Sequence, residues 1–365
     1  MTYSVSFPFL LRKVAACKRS ACILEFAAAM SIGNENLFFA TIFCYNGNRH
    51  IGRERLLIIL IIVLKEGIMF KWVLTATDML EACDAVVINA LEIAKKSEAK
   101  LSVLHVLEPS YFHECGPLES VRHYKTGEDT ATSEEYRKAV KEELEKRCAG
   151  ALKQYAHYQI DLAYGKPSIE IRRWARKFGA DLIVLGPHAG RVEEEKELIG
   201  LPIGNTVADV IVHTITPVMI IGRIIPQEKL NFKKIMVCVD FSRSCKHASD
   251  FAVKLAQQYG SELFFLHMEN QSGPEGTISR ETIKDFCSRV PDGMNAHYDI
   301  WGGTEPYRAI LGYAHQKDAD LIIMGSRSKE REEKPYVGSA VELVSADRTF
   351  PVIVITHPDA LMKIH

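Results

Sequence analysis

Lys233-Lys234-Ile235-Met236-Val237-Cys238-Val239-Asp240 repeats, 162 positions on, the stretch Lys71-Trp72-Val73-Leu74-Thr75-Ala76-Thr77-Asp78. Each begins with lysine, runs through apolar and β-branched residues and ends on aspartate. A short apolar run of this kind reads as a strand buried on both faces of a parallel sheet. Three further matches follow in the same order. Leu104-His105-Val106 returns as Leu266-His267-Met268 at the same offset, and Ala180-Asp181-Leu182-Ile183-Val184-Leu185-Gly186 returns as Ala319-Asp320-Leu321-Ile322-Ile323-Met324-Gly325 at 139. Thr216-Pro217-Val218-Met219-Ile220-Ile221 returns as Phe350-Pro351-Val352-Ile353-Val354-Ile355 at 134. The order holds while the spacing drifts, so one whole domain has been duplicated. The period, about 150 residues, is too long for a solenoid, whose repeats are single supersecondary units.

Between these anchors, helical periodicity alternates with further strands. Helices are expected over 83–96 and 245–258, after the first strand of each repeat, and over 133–154 and 279–289. Pro167 and Pro306 each open another, since proline suits the first helical turn. Strands are expected over 100–106, 158–164, 182–185 and 218–221, and in the second repeat over 262–268, 297–301, 321–324 and 352–356. The pattern is β-α-β-α-β-α-β-α-β twice over, the signature of open parallel sheets joined by right-handed crossovers. The predicted domains are 69–222 and 231–365. Extra length in the first lies within 108–150, whose charged helix around Glu134–Lys146 reads as surface decoration.

Residues 1–68 match neither repeat. Their apolar run Leu56–Leu64 is nine residues long, well short of the ~20 needed to span a bilayer as a helix. Basic residues follow the apolar start instead of preceding it, so a signal peptide fits poorly. Met69 stands just before the first strand, and Lys65-Glu66-Gly67-Ile68 can be encoded by a purine-rich AAGGAGGG stretch resembling a bacterial ribosome-binding site. Translation is expected to start at Met69, the alternative being that residues 1–68 are a genuine, poorly ordered or membrane-touching extension. The intact mass of the natively expressed protein checks this: a species lacking residues 1–68 is expected, and the mass of all 365 residues would contradict it.

Composition is ordinary, with 47% hydrophobic and 25% charged residues and a net charge of −1. Such a balance makes no electrostatic case for nucleic acid, which calls for a basic face or stripe. No membrane partner is expected. The nine cysteines form no C-x-x-C and no metal-ligand spacing, which fits reduced thiols in a cytoplasmic protein. Cys245, read as lying in a loop, is expected to be the most exposed. His105 and His267, at equivalent strand ends, read as packing residues. No Ser/His/Asp set, paired carboxylates or P-loop lysine is evident, so no catalytic residue is assigned.

Three features of each repeat converge on the carboxyl ends of its first and fourth strands, where open α/β sheets hold ligands. These are the aspartate closing the first strand (Asp78, Asp240), the glycine closing the fourth (Gly186, Gly325), and a glycine opening the next helix (Gly204, Gly338). Glycine lets the backbone approach a phosphate and take positive φ, and a helix start presents unpaired N–H groups to an anion. Ser339 is expected to cap its helix and add a donor. The aspartate can accept hydrogen bonds from a ribose or adenine.

The second repeat reads Gly325-Ser326-Arg327-Ser328, then nine residues, then Gly338-Ser339. It resembles the universal stress protein family, whose ATP-binding members carry G-x-x-G-x9-G-[ST] after the fourth strand, an aspartate after the first, and a last strand opening near Pro-Val. Gly204 to Pro217 and Gly338 to Pro351 both span 13 positions, which reinforces the likeness over about 69–365. The resemblance implies an α/β fold of two tandem, open, Rossmann-like domains of the adenine-nucleotide-binding type, packed as a pseudo-symmetric dimer through their last strands. It also implies a non-enzymatic, cytoplasmic stress-response protein that binds ATP with Mg2+. The nucleotide residues implied in the second repeat are Asp240, Met268, Met324, Gly325, Ser328, Gly338 and Ser339. Those implied more weakly in the first are Asp78, Val106, Gly186, His188, Gly190, Gly204, Asn205 and Thr206.

The departures separate the repeats. Ser328 replaces the second motif glycine. The first repeat is more disturbed, with Gly186-Pro187-His188-Ala189-Gly190, Glu193-Glu194-Glu195, then Gly204-Asn205-Thr206. Its glycine interval exceeds that of the second by five residues, Pro187 lacks a backbone donor, and three carboxylates would repel a triphosphate unless a metal intervenes. The second repeat is thus the expected nucleotide binder. The competing reading is a nucleotide-independent interaction module whose protein client docks on the 108–150 insertion or near Glu193, and a homodimer is compatible with either.

Overall fold

The computed structural model describes residues 23–24, 42–43, 69–79, 81–108, 120–122, 129–153, 155–188, 203–269, 278–287, 290–303, 305–326 and 337–356. Most of 1–68 therefore lies outside the described residues, as do Gly190, Glu193-Glu194-Glu195, Ser328 and much of the 108–150 insertion. Before residue 68 only β1 (Ile23–Leu24) and β2 (Ile42–Phe43) are described, paired antiparallel.

The first repeat begins with β3 (Trp72–Ala76), α1 (Glu81–Lys96) and β4 (Lys100–Leu107). A short hairpin of β5 (Ser120–Arg122) and β6 (Asp129–Ala131) follows. Then come α2 (Glu134–Leu152), β7 (Tyr158–Tyr164), α3 (Pro167–Phe178), β8 (Leu182–Leu185), α4 (Asn205–Val212) and β9 (Val218–Ile220). The second repeat runs through β10 (Lys234–Val239), α5 (Arg243–Tyr259), β11 (Glu262–Glu269), α6 (Arg280–Phe286) and β12 (Ala296–Gly302). It finishes with α7 (Pro306–Lys317), β13 (Leu321–Gly325), α8 (Ser339–Ala346) and β14 (Val352–Ile355).

All ten repeat strands join one sheet in the order β12-β11-β10-β13-β14-β9-β8-β3-β4-β7. Every pairing is parallel except β14 with β9, which are antiparallel with Val352 opposite Ile220 and Val354 opposite Val218. Each half has its strands in the same order, with its first strand between the second and fourth, and the last strands form the seam. The implied pseudo-dimer is what the sheet displays.

Alternation along the strands sorts side chains onto two faces, and helices cover both. Val73, Leu101, Val184, Val237 and Ile323 pack under α1 and α5 on one face. Leu74, Ile183, Met236 and Ile322 pack under α3, α4, α7 and α8 on the other. Each cluster runs across the seam, so the two halves share their hydrophobic cores. Pro167 and Pro306 stand in the first turns of α3 and α7 as expected, and those helices end on left-handed Gly179 and Asp318. The insertion contributes α2, which buries Val140, Leu144, Cys148 and Leu152 and carries charge elsewhere.

The repeated Ala-Asp pair has a structural explanation. Asp181 accepts the N–H groups of Lys71 and Trp72 at 2.7 and 2.9 Å, and Asp320 accepts that of Lys234 at 3.1 Å. Each carboxylate thus ties the start of the fourth strand to the start of the first. The connector over 221–233 is also fastened at both ends. Lys229 pairs with Asp318 and Asp320 at 2.8 and 2.9 Å, while Lys96 reaches Asn231 Oδ1 at 2.9 Å. Asn89 of α1 is buried and closes three bonds there, donating to Ala85 O and Arg223 O and accepting from Ile225 N–H.

Candidate functional site

In both halves the chain leaves the first strand in the same way. Asp78 is followed by Met79 at φ 65°, and Asp240 by Phe241 at φ 60°. Left-handed backbone at a large apolar residue is unfavourable, and burial of Met79 at 1% exposure, or ring contacts of Phe241 with His267 and Phe286, holds it in place. The Asp240 carboxylate accepts the Ser242 N–H at 3.0 Å, and the Ser242 hydroxyl caps α5 by accepting the Cys245 N–H at 3.1 Å.

The paired histidines brace this turn. His105 Nδ1 lies 2.8 Å from Thr77 O, and His267 Nδ1 lies 2.7 Å from Val239 O. A carbonyl only accepts, so each ring places its proton on Nδ1. Burial, against weaker opposing influences of Thr77 and Asp78, holds the His105 imidazole below its ordinary range and hence neutral. Both rings have the packing role expected of them.

The glycines that close the fourth strands are not equivalent. A Cβ at Gly325 would sit 2.5 Å from Cys245 N and 2.6 Å from Ser244 C, because the first turn of α5 rests directly on β13. A Cβ at Gly186 would meet only the Val86 methyl at 3.3 Å and His188 O at 3.6 Å. Gly325 is therefore required by helix–strand packing, whatever else it does.

The glycines that open the last helices differ in the opposite sense to their similar sequences. Gly338 is the N-cap of α8 at φ 111° and ψ 127°, a conformation that side-chain-bearing residues rarely take. Gly204 is the N-cap of α4 at φ −61° and ψ 150°, open to any residue. Neither helix start has a side-chain cap. Ser339 is the first residue of α8 and is exposed, so the expectation that it caps the helix is corrected: Gly338 occupies that position.

The remaining site residues fall as follows. Gly325 and Gly338 lie at the carboxyl end of β13, where Ser326 Oγ meets Val337 O at 3.5 Å, and Asp240 ends the adjoining β10. Met324 is buried in the core at 4% exposure, while Met268 and Val106 are partly buried near the ends of β11 and β4. Asn205 and Thr206 form the first turn of α4, and Gly204 donates its N–H to Pro187 O at 2.8 Å. His188 follows, half-buried.

Cys245 is fully buried in the first turn of α5, its thiol 3.3 Å from Cys238 O, which overturns the expectation of an exposed loop thiol. The Ser242 cap starts the helix earlier than apolar periodicity suggests, and so turns Cys245 inward. Burial, with Asp240 nearby, pushes the Cys238 and Cys245 thiols far up, and burial pushes Cys287 up to about 11. Such thiols stay protonated at neutral pH and are poor nucleophiles. Among the described residues no three His, Cys, Asp or Glu converge to hold a metal, and no helix is long and apolar enough to cross a membrane.

Sequence reasoning missed Asn89, which fastens the connector to α1, and Arg348, which crosses the seam onto Gly222. Neither belongs to a repeated stretch.

The Universal stress protein family model matches residues 69–222 and 231–277. A universal stress protein of Methanocaldococcus jannaschii is 26% identical over 155 residues, covering 38% of this chain and 91% of the relative. One from Bacillus subtilis is 28% identical over 149 residues, covering 34% of this chain and 99% of the relative. The crystal structure of a universal stress protein from Archaeoglobus fulgidus covers 80% of this chain and 98% of its own, at 22% identity and TM-score 0.57, a likeness of fold. The family model, the twice-repeated strand order and the shared seam lead to one conclusion: this chain belongs to the universal stress protein family.

Proposed function

We propose that this protein is a stress-response regulator that binds an adenine nucleotide, ATP accompanied by Mg2+, chiefly through its second half at 231–365. The observation carrying the proposal is Gly338, whose φ of 111° at the start of α8 suits a backbone turned toward a ligand. Asp240 stands at the end of the adjoining first strand, where it would accept ribose or adenine hydrogen bonds. The uncapped N–H groups of Gly338 and Ser339 would take phosphate oxygens. The described residues supply no ready metal cage, so Mg2+ would arrive on the triphosphate.

The role is binding and signalling, not turnover. Both strand-end histidines are committed to backbone carbonyls, and the buried thiols are protonated. The first half, 69–222, serves as the built-in dimer partner. Titration calorimetry with ATP tests the proposal: binding heat from the folded protein is expected, and its absence at high protein concentration would overturn it. One observation favours the interaction-module alternative, since packing against α5 already accounts for Gly325. That alternative predicts a folded protein silent to ATP, and loss of a protein client when 110–130 is deleted.

A further inference from the structure

The antiparallel seam places part of each half at the other's ligand end. With Val352 opposite Ile220, the turn over 347–351 before β14 lies at the carboxyl ends of β8 and β9, beside Gly186 and His188. With Val354 opposite Val218, the turn over 213–217 lies reciprocally at the carboxyl ends of β13 and β14. The two turns do not match chemically. Arg348 stands 134 positions after Thr214, so the first half receives an arginine where the second receives a threonine.

Three observations converge on that arginine. Its stem lies across Gly222, where a Cβ would come 2.4 Å from Arg348 Cγ and 2.9 Å from its Cδ. The equivalent position in the second half is Thr356, whose hydroxyl donates to Ile211 O at 2.9 Å. The gap thus exists on one side only. Second, Arg348 is held at φ 67°, while Arg223 Nη2 donates to the neighbouring Thr349 O at 2.6 Å. Third, His188 Nε2 is buried without a hydrogen-bond partner among the described residues. Burial, and after it the Arg348 charge, lowers the His188 pKa, which favours the neutral ring.

A guanidinium and a neutral imidazole with a hidden nitrogen suit an anion with several acceptor oxygens, and arginine's fork fits phosphate in particular. We propose that Arg348 of the second half and His188 of the first together hold a phosphate group at the carboxyl end of β8, so the first half's site is built from both halves. Pro187 removes a backbone donor from this loop, and its carbonyl is taken by Gly204 N–H. The borrowed arginine supplies donors that the loop lost. The proposal rests on the reading that the chain binds a phosphate-bearing nucleotide, but it concerns the half assigned the lesser part.

The test follows the histidine ring signals of the full chain by NMR, with His188 assigned through His188→Gln. The Met268 methyl reports on the second half. ATP, inorganic phosphate and adenosine are titrated separately. The His188 signals should move with ATP and with phosphate but not with adenosine. Arg348→Met, which keeps a stem over Gly222, should weaken that response at least about tenfold, leave Met268 responding to ATP, and be partly rescued by Arg348→Lys. A response to ATP alone assigns a nucleotide phosphate, and an equal response to inorganic phosphate assigns the group irrespective of its carrier; both support the site. His188 unmoved in the wild-type protein while Met268 responds would overturn the composite site and leave the nucleotide reading standing. Unchanged affinity at His188 in Arg348→Met would overturn it too. His188 responding with Met268 silent would support it and count against the second-half site. If Arg348→Met fails to fold, the wild-type phosphate and adenosine titrations still decide.

Discussion

Gly325→Ala should destabilise the protein by about 3 kcal/mol, the upper range for forcing a methyl into a packed core. The new Cβ would lie 2.5 to 2.8 Å from three backbone atoms of Ser244 and Cys245. Backbone cannot rotate aside as a side-chain tip can, so α5 must lift from β13. That motion would strain the Ser242 cap and the Cys245 thiol contact with Cys238 O. Gly186→Ala is the matched control, since its methyl would meet a single valine methyl at 3.3 Å, and it should cost less than about 1 kcal/mol. Thermal melts of the two variants check this. The first should fall by roughly 6–12 °C, at about 2–4 °C per kcal/mol for a domain of this size class. Equal melting temperatures would show that α5 does not bear on Gly325 as described.

Asn89→Ala should cost about 2–4 kcal/mol, again read by melting or denaturant unfolding. The side chain is 1% exposed and bridges α1 to the connector, at 2.7 Å to Arg223 O and 3.0 Å from Ile225 N. Removing it leaves the buried Ile225 N–H and the part-buried Arg223 carbonyl without their partner, and a buried group left unpaired costs about 1–3 kcal/mol. The equivalent position in the second half, 162 residues on, is Phe251, which packs near Phe70 at 6.5 Å between ring centroids. In the first half the connector passes over that helix, which accounts for a polar residue there. A loss below about 0.5 kcal/mol would mean that water replaces the amide.

The strands were legible because burial on both sheet faces leaves unbroken apolar runs, and duplication supplied a second reading of each. Tyr158–Tyr164 and Pro167–Phe178 fall where periodicity and proline place them. What repeats is largely scaffold. Asp181 and Asp320 tie strand starts, and His105 and His267 brace strand ends. Backbone conformation was less legible, since Gly204 and Gly338 look alike in sequence yet differ by φ −61° against 111°. Cys245 was misplaced because one N-cap serine moves a helix start by two residues. Contacts across the seam, such as that of Arg348 with Gly222, depend on the antiparallel pairing of β9 with β14, which no local pattern encodes.

The central claim is that nucleotide binding resides chiefly in the second half, through the backbone at Gly338. Titration calorimetry with ATP on Gly338→Ala and Gly204→Ala tests it directly. A side chain at φ 111° costs about 1–3 kcal/mol, while φ −61° accepts alanine freely. The account predicts that Gly338→Ala loses the tighter ATP binding event by tenfold or more while remaining folded, and that Gly204→Ala keeps it. Undiminished binding in Gly338→Ala, or its loss in Gly204→Ala alone, would contradict the account.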